Sequence, residues 1–120
     1  MTTVDRVFGW LLVVGGLLHA VGSWYGLHNN PPQLVWALSG SLAALLVAAL
    51  NLLRVGRSTD RPLAWTSFAA SLAWVVVAIG FGVAIGHPAD PRAVFHAVIA
   101  AVLAGLSLRS LMLAPRPRVA

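Results

Sequence analysis

The sequence predicts an all-α membrane protein: a single domain of four transmembrane helices in an up-down-up-down antiparallel bundle, with both termini cytoplasmic. Hydrophobic residues make up 59% of the 120 residues and charged residues only 9%, against about 25% charged residues in a soluble domain. Four apolar stretches each approach the roughly 20 residues that a helix needs to cross the hydrocarbon core. Short links containing proline separate these stretches.

The first two predicted helices cover residues 7–27 and 34–53. The first apolar run is too long for the core of a signal peptide, and no small-residue cleavage site follows it, so it is expected to remain as a membrane anchor. The second begins after Pro31 and Pro32, since proline disrupts a helix interior but is tolerated in its first turn.

The last two predicted helices cover residues 63–86 and 93–113. Pro62 precedes the third helix. Asp90 and Pro91 precede the fourth, where an aspartate is expected to cap the free N–H groups and a proline to occupy the first turn. The links are short, so consecutive helices are expected to be antiparallel neighbours.

The distribution of arginine predicts the orientation. Seven of the eight basic residues lie at or near the termini or the central link: Arg6, Arg54, Arg57, Arg61, Arg109, Arg116 and Arg118. The eighth, Arg92, lies in an outer link. Basic residues concentrate on the cytoplasmic side of membrane proteins. The chain is therefore expected to be a multi-pass protein of the inner (plasma) membrane.

Small residues predict where the helices touch, because they allow membrane helices to approach closely. Each segment has one stripe of small or polar residues at helical spacing: Gly15, His19, Gly22 and Gly26; Gly40, Ala44, Val47 and Asn51; Ser67, Ser71, Ala78 and Gly82; His96, Ala100, Leu103 and Ser107. Among the glycines, Gly15, Gly22, Gly26, Gly82 and Gly86 are the predicted packing positions.

Two histidines lie inside predicted helices, His19 in the first and His96 in the fourth. Ionisable residues within a membrane are costly and usually face the interior. The first and fourth helices of such a bundle are neighbours, so both rings are expected to open into one pocket in the outer half. Trp24, Tyr25 and Ser71 complete this predicted ligand-binding pocket.

The histidines have alternative interpretations. As structural groups they would bond across helices to a serine, a carbonyl or water, or contact a substrate. As a redox site they would hold haem b or a metal ion between them, since imidazole ligates both. Two histidines without a carboxylate or thiol are an incomplete metal site, so no metal site is predicted. A proton relay is a further alternative.

Missing residue types exclude several functions. Without cysteine, there are no disulfides, thiolate catalysis or thiol metal sites. No acidic residue lies within the predicted spans, which argues against proton-coupled export. The arginines flank apolar segments, so a net charge of +5 predicts contact with lipid and not nucleic acid. No catalytic residues are predicted.

The favoured function is therefore non-enzymatic: an accessory or scaffold subunit, or a binder of a small apolar ligand or lipid. The alternative is a redox protein that binds haem b or a quinone through His19 and His96. A third is a channel or transporter for small solutes formed by oligomers. The expected partners are the lipid bilayer and either a larger membrane complex or further copies of this chain.

Overall fold

The computed structural model describes residues 2–114, and this part of the chain is helical with no strand. The helices are α1 (Thr2–Leu27), α2 (Pro31–Val55), α3 (Arg61–Ala84) and α4 (Pro91–Leu113). All four are long and apolar enough to cross a membrane, so the prediction of an all-helical fold with four long apolar helices is confirmed. Arg116 and Arg118, which contributed to the predicted orientation, lie outside the described residues.

Polar caps followed by proline set the starts of α2, α3 and α4. Asn30, Asp60 and Asp90 occupy the N-cap positions, and the side chain of each accepts a hydrogen bond from a backbone N–H of the first turn. Each of these helices therefore begins two or three residues before the predicted apolar segment, because proline belongs to the first turn. The capping role expected of Asp90 is confirmed.

The start of α1 differs more from the sequence-based expectation. The helix begins at Thr2 and includes Asp5, which is buried, whereas the predicted span began at Val7. Asp5 pairs with Arg54 at 2.6 Å, and the Arg54 side chain is only 3% exposed. An acidic residue therefore does lie within one of the membrane-capable helices, and its charge is compensated there.

The most extensive contacts join α1 to α2 and α3 to α4, which we call the α1–α2 pair and the α3–α4 pair. Close approach of α1 to α2 depends on glycine: a Cβ at Gly9 would lie 2.6 Å from Leu52, and one at Gly16 would lie 3.2 Å from Leu45. One apolar core layer joins the pairs at mid-bundle; it contains Leu12, Ala44, Val47, Ala48, Ile99 and Leu103.

The glycines predicted to pack fall into two groups. Gly15 lies against the rings of Phe95 and His96, and Gly82 lies against Ala93 and the link before α4. At Gly22, Gly26 and Gly86, a Cβ would have no neighbouring atom of residues 2–114 within 4 Å, so these glycines are not positions of close helix packing in that part of the chain. Gly86 instead has a φ of 72°, a left-handed conformation that glycine adopts readily at the end of a helix.

A buried hydrogen-bond network also joins the two pairs. Asn51 donates to the Ser71 hydroxyl at 2.9 Å and accepts from the Ser107 hydroxyl at 3.0 Å, and all three side chains are inaccessible to solvent. Ser67 and Arg54 add further bonds between the pairs. Every side-chain hydrogen bond between the pairs in the described chain involves α2 residues 50–54, so the pairs are tied together near one end.

The outer surface is strongly apolar. Large side chains such as Leu18, Val76, Trp36 and Met112 are more than half exposed. Monomeric soluble proteins rarely expose contiguous apolar patches of more than a few hundred Å². Lipid contact accounts for such a surface.

Candidate functional site

A cavity of about 230 Å³ lies between the two pairs, at the end away from Arg54. Each helix contributes to its wall, which is mostly aromatic and aliphatic; the lining residues are His19, Trp36, Ala37, Gly40, Trp74, Val77, Ala78, Phe81, Arg92, Ala93 and His96. The cavity is open on one side, so a ligand with a tail longer than the cavity can extend out of it. Its volume lies just below the range of about 300 to 1,000 Å³ typical of ligand pockets.

The ring of His19 is held by Ser41 of α2. Its Nδ1 lies 2.8 Å from the serine hydroxyl, and that hydroxyl lies 3.3 Å from the Ala37 carbonyl. The hydroxyl has one proton, which can go to the carbonyl or to Nδ1. When it goes to the carbonyl, the hydroxyl oxygen accepts from Nδ1–H, and Nε2 of His19 is left as a hydrogen-bond acceptor for a ligand.

The ring of His96 is held by Trp74 of α3. The indole N–H donates to Nδ1 of His96 at 3.2 Å, and an indole can only donate. In the neutral ring the proton is therefore on Nε2, which points towards α1, where a Cβ at Gly15 would lie 3.4 Å away. Glycine is favoured at position 15 because a Cβ there would lie 2.6 Å from the Phe95 ring and 3.2 Å from the His96 ring.

The structure brings His19 and His96 together. Their ring centroids are 6.3 Å apart, and the ring planes are nearly perpendicular at 83°. Nδ1 of each ring is bonded within its own pair, to Ser41 or to Trp74. Both rings line the cavity, so a ligand there can contact both.

A charged pair lies at the edge of the cavity. Arg92 lines the cavity, stacks at 5.5 Å over the Phe81 ring, and donates to both carboxylate oxygens of Asp90 at 3.0 Å. The hydrogen bonds from Arg92 lower the pKa of Asp90 to about 2. The guanidinium is therefore held in place and remains available to a carbonyl or anionic group of a ligand.

The other residues predicted for this pocket lie elsewhere. Trp24 and Tyr25 are 58% and 76% exposed on α1 and do not line the cavity. Ser71 is fully buried and bonded to Asn51 in the polar network. On an isolated helix, residues 19 and 24 differ by five positions and therefore point in different directions.

Sequence reasoning missed most of the aromatic wall. Trp74, Ala78 and Phe81 follow one another at helical spacing on α3 and form one side of the cavity, and Trp36 of α2 forms another. The spacing of residues 74, 78 and 81 was the available signal, because residues three and four apart share a helix face.

The donor set does not fit a haem held by both histidines. A histidine that ligates iron through Nε2 normally donates its Nδ1–H to an acceptor, but Nδ1 of His96 faces the indole N–H of Trp74, which is a donor. Ligation through Nδ1 would displace that same bond. Within residues 2–114, no cluster of three or more histidine, cysteine or acidic side chains is arranged to hold a metal ion.

Comparisons with other proteins identify no relative of this chain: no protein family, curated protein or solved structure matches it. The roles of its residues therefore follow from their geometry.

Proposed function

We propose that this chain is a small multi-pass membrane protein that binds one hydroxylated ring compound in the cavity between its two pairs of helices. The observation that carries the proposal is the arrangement of His19 and His96, which face each other at 6.3 Å inside an aromatic cavity. Small-molecule sites are typically apolar concavities with a few well-placed polar groups.

The chemistry of the wall indicates the ligand class. In the tautomer with the proton on Nδ1, Nε2 of His19 accepts and suits a hydroxyl donor, and Arg92 at the edge suits a carbonyl or a partial negative charge. Trp36, Trp74 and Phe81 provide faces for a flat ring. A phenol or quinol with an apolar tail has all three features, and its tail would leave through the open side towards lipid.

The proposed orientation places the histidine cavity in the outer half of the bilayer of the inner membrane, with an up-down-up-down helix order and cytoplasmic termini. The positive-inside rule supports it, because seven of eight arginines lie at the termini or the central link. The contacts of Arg54 with Asp5 and Ser110 support it too, since they bring the ends of α1, α2 and α4 together.

Paired probes test the ligand class. In dodecyl maltoside, 4-octylphenol should raise the thermal unfolding temperature in a saturable way, whereas octylbenzene, which lacks the hydroxyl, should bind several-fold more weakly. One net hydrogen bond is worth about 0.5 to 1.5 kcal/mol, which corresponds to about 2-fold to 13-fold in affinity. The His19→Ala variant should bind both probes equally. His28→Ala is the matched control, because His28 is exposed and does not line the cavity.

Two outcomes would reject the proposal. One is equal affinity of the wild-type protein for the two probes. The other is retention of the phenol preference in a folded His19→Ala variant. An absorption spectrum of protein from cells supplied with haem precursor tests the redox alternative directly. A Soret band that disappears in both the His19→Ala and His96→Ala variants would favour haem binding over the proposal.

A further inference from the structure

A second cavity, of about 180 Å³, lies at the end of the bundle near Arg54. It is formed by the first turns of α1, the end of α2 with the link after it, and the last turns of α4. Its lining includes the hydroxyl-bearing residues Thr2, Ser58 and Ser110, and the charged residues Asp5, Arg54 and Arg109. The proposed ring-binding function does not involve this cavity.

The guanidinium of Arg54 is incompletely bonded. Its Nη2 donates to Asp5 at 2.6 Å, and its Nη1 donates to Ser110 at 2.6 Å. Its Nε is buried and has no partner among the described residues, although the residue is only 3% exposed. An unpaired buried donor of a charged group is costly, and the Arg54 side chain that carries it forms part of the cavity wall.

The charges that line the cavity do not balance. Arg54 and Arg109 each carry +1 and Asp5 carries −1, which leaves +1 among the lining residues that the structure describes. The free N–H groups at the start of α1 add positive potential, because Thr2 begins that helix and lines the cavity. One monoanion would therefore neutralise the site.

We propose that this cavity binds a singly charged phosphate group, held by Arg109 and by the hydroxyls of Thr2 and Ser58, beside the buried guanidinium of Arg54. A phosphodiester carries one negative charge and several acceptor oxygens, and the planar fork of arginine matches the geometry of phosphate oxygens. Basic pockets between membrane helices on the cytoplasmic side bind lipid headgroups in this way. The phosphate comes from a phospholipid or from solution.

The experiment uses the full chain, delipidated in dodecyl maltoside. The probes are dioctanoyl phosphatidylglycerol, dioctanoylglycerol, which has no phosphate, and inorganic phosphate, each followed by isothermal titration calorimetry. The test variant is Arg109→Gln, because Arg109 makes no hydrogen bond in the described chain and its loss should leave the fold intact. Arg57→Gln is the matched control: it removes the same charge from an exposed position outside the cavity.

The expected result is that phosphatidylglycerol binds and dioctanoylglycerol does not, and that Arg109→Gln weakens binding by about tenfold or more, whereas Arg57→Gln changes it less than twofold. Binding of inorganic phosphate with the same dependence on Arg109 would support the phosphate site and assign its source to solution. Equal binding of the two lipids overturns the proposal, as does the absence of binding by either phosphate probe. Equal weakening by both arginine variants also overturns it, because it indicates general surface charge.

Discussion

The ion pair between Asp5 and Arg54 allows a quantitative test of how this bundle tolerates charge. The Arg54 side chain is 3% exposed and that of Asp5 is 12% exposed, so loss of one partner leaves the other charged, largely buried and without its counter-ion. Breaking a buried pair in this way costs about 3 to 5 kcal/mol, whereas replacing both partners by apolar residues is often neutral or stabilising. We therefore expect Asp5→Leu to lose about 3 kcal/mol of unfolding free energy, and the double variant Asp5→Leu/Arg54→Met to regain most of it.

Reversible unfolding in mixed micelles of dodecyl maltoside and rising sodium dodecyl sulfate, followed by far-ultraviolet circular dichroism, measures these free energies. Arg92→Met is the control, because it breaks the pair with Asp90 in which the arginine side chain is 66% exposed. Exposed pairs contribute little, so its unfolding midpoint should change much less than that of Asp5→Leu. A double variant that is less stable than Asp5→Leu alone would refute the reasoning, since it would mean that Arg54 without Asp5 stabilises the bundle instead of costing free energy.

Three further predictions concern the network, the cavity and the start of α4. Asn51→Ala removes two interhelical bonds worth about 0.6 kcal/mol each and leaves a void, so we expect a loss of about 1 to 3 kcal/mol. Ser39→Ala, which alters an exposed serine bonded within α2, should have little effect in the same titration, and equal losses would contradict a role for the network. Gly15→Ala places a Cβ 2.6 Å from the Phe95 ring. The variant should lose about 1 to 3 kcal/mol of unfolding free energy and should no longer prefer 4-octylphenol to octylbenzene. Gly105→Ala is the control, because the space around Gly105 is open, and it should have neither effect. The pKa of Asp90 is lowered to about 2. Its contribution to the free energy of unfolding is therefore complete above the unfolded pKa of about 3.9 and disappears as the pH falls through about 2. A carbon-13 NMR titration of the Asp90 carboxyl should give a midpoint near pH 2, and a midpoint near pH 4 would show that the ion pair does not form.

The sequence was sufficient to predict the four helices because the apolar runs are long and proline marks their starts. It also predicted much of the packing. The stripe of Ala44, Val47 and Asn51 on α2 is buried, and so is the stripe of Ser67 and Ser71 on α3. On these helices, small and polar residues occur at helical spacing on one face and large aliphatic residues elsewhere, so the interior face can be recognised.

The face of α1 was predicted less well. Beyond Gly15, its buried residues include Gly16 and Ser23, and Gly22 and Gly26 are exposed. Glycines occur on several faces of α1, so their spacing alone does not identify the one that packs. The contacts of Gly16 with Leu45 depend on how α1 crosses α2, which is a property of the two helices together.

Two features of the sites depended on tertiary structure. Arg54 was counted among the arginines that flank a link, because a linear sequence gives no sign that Asp5 lies beside it. Arg92 and Trp36 line the histidine cavity together with residues of all four helices. The cavity depends on how the two pairs are arranged, and no local pattern encodes that arrangement.

The apolar core layer of Leu12, Val47, Ile99 and Leu103 has a consequence for permeability. It lies between the histidine cavity and the network around Asn51, and its side chains are nearly inaccessible to solvent. A chain of water molecules or exchanging protons needs polar partners at each step, and this layer offers none. We therefore expect His19 and His96 to exchange protons only with the compartment on their own side, and the electrical insulation of the bilayer to continue through the middle of the protein.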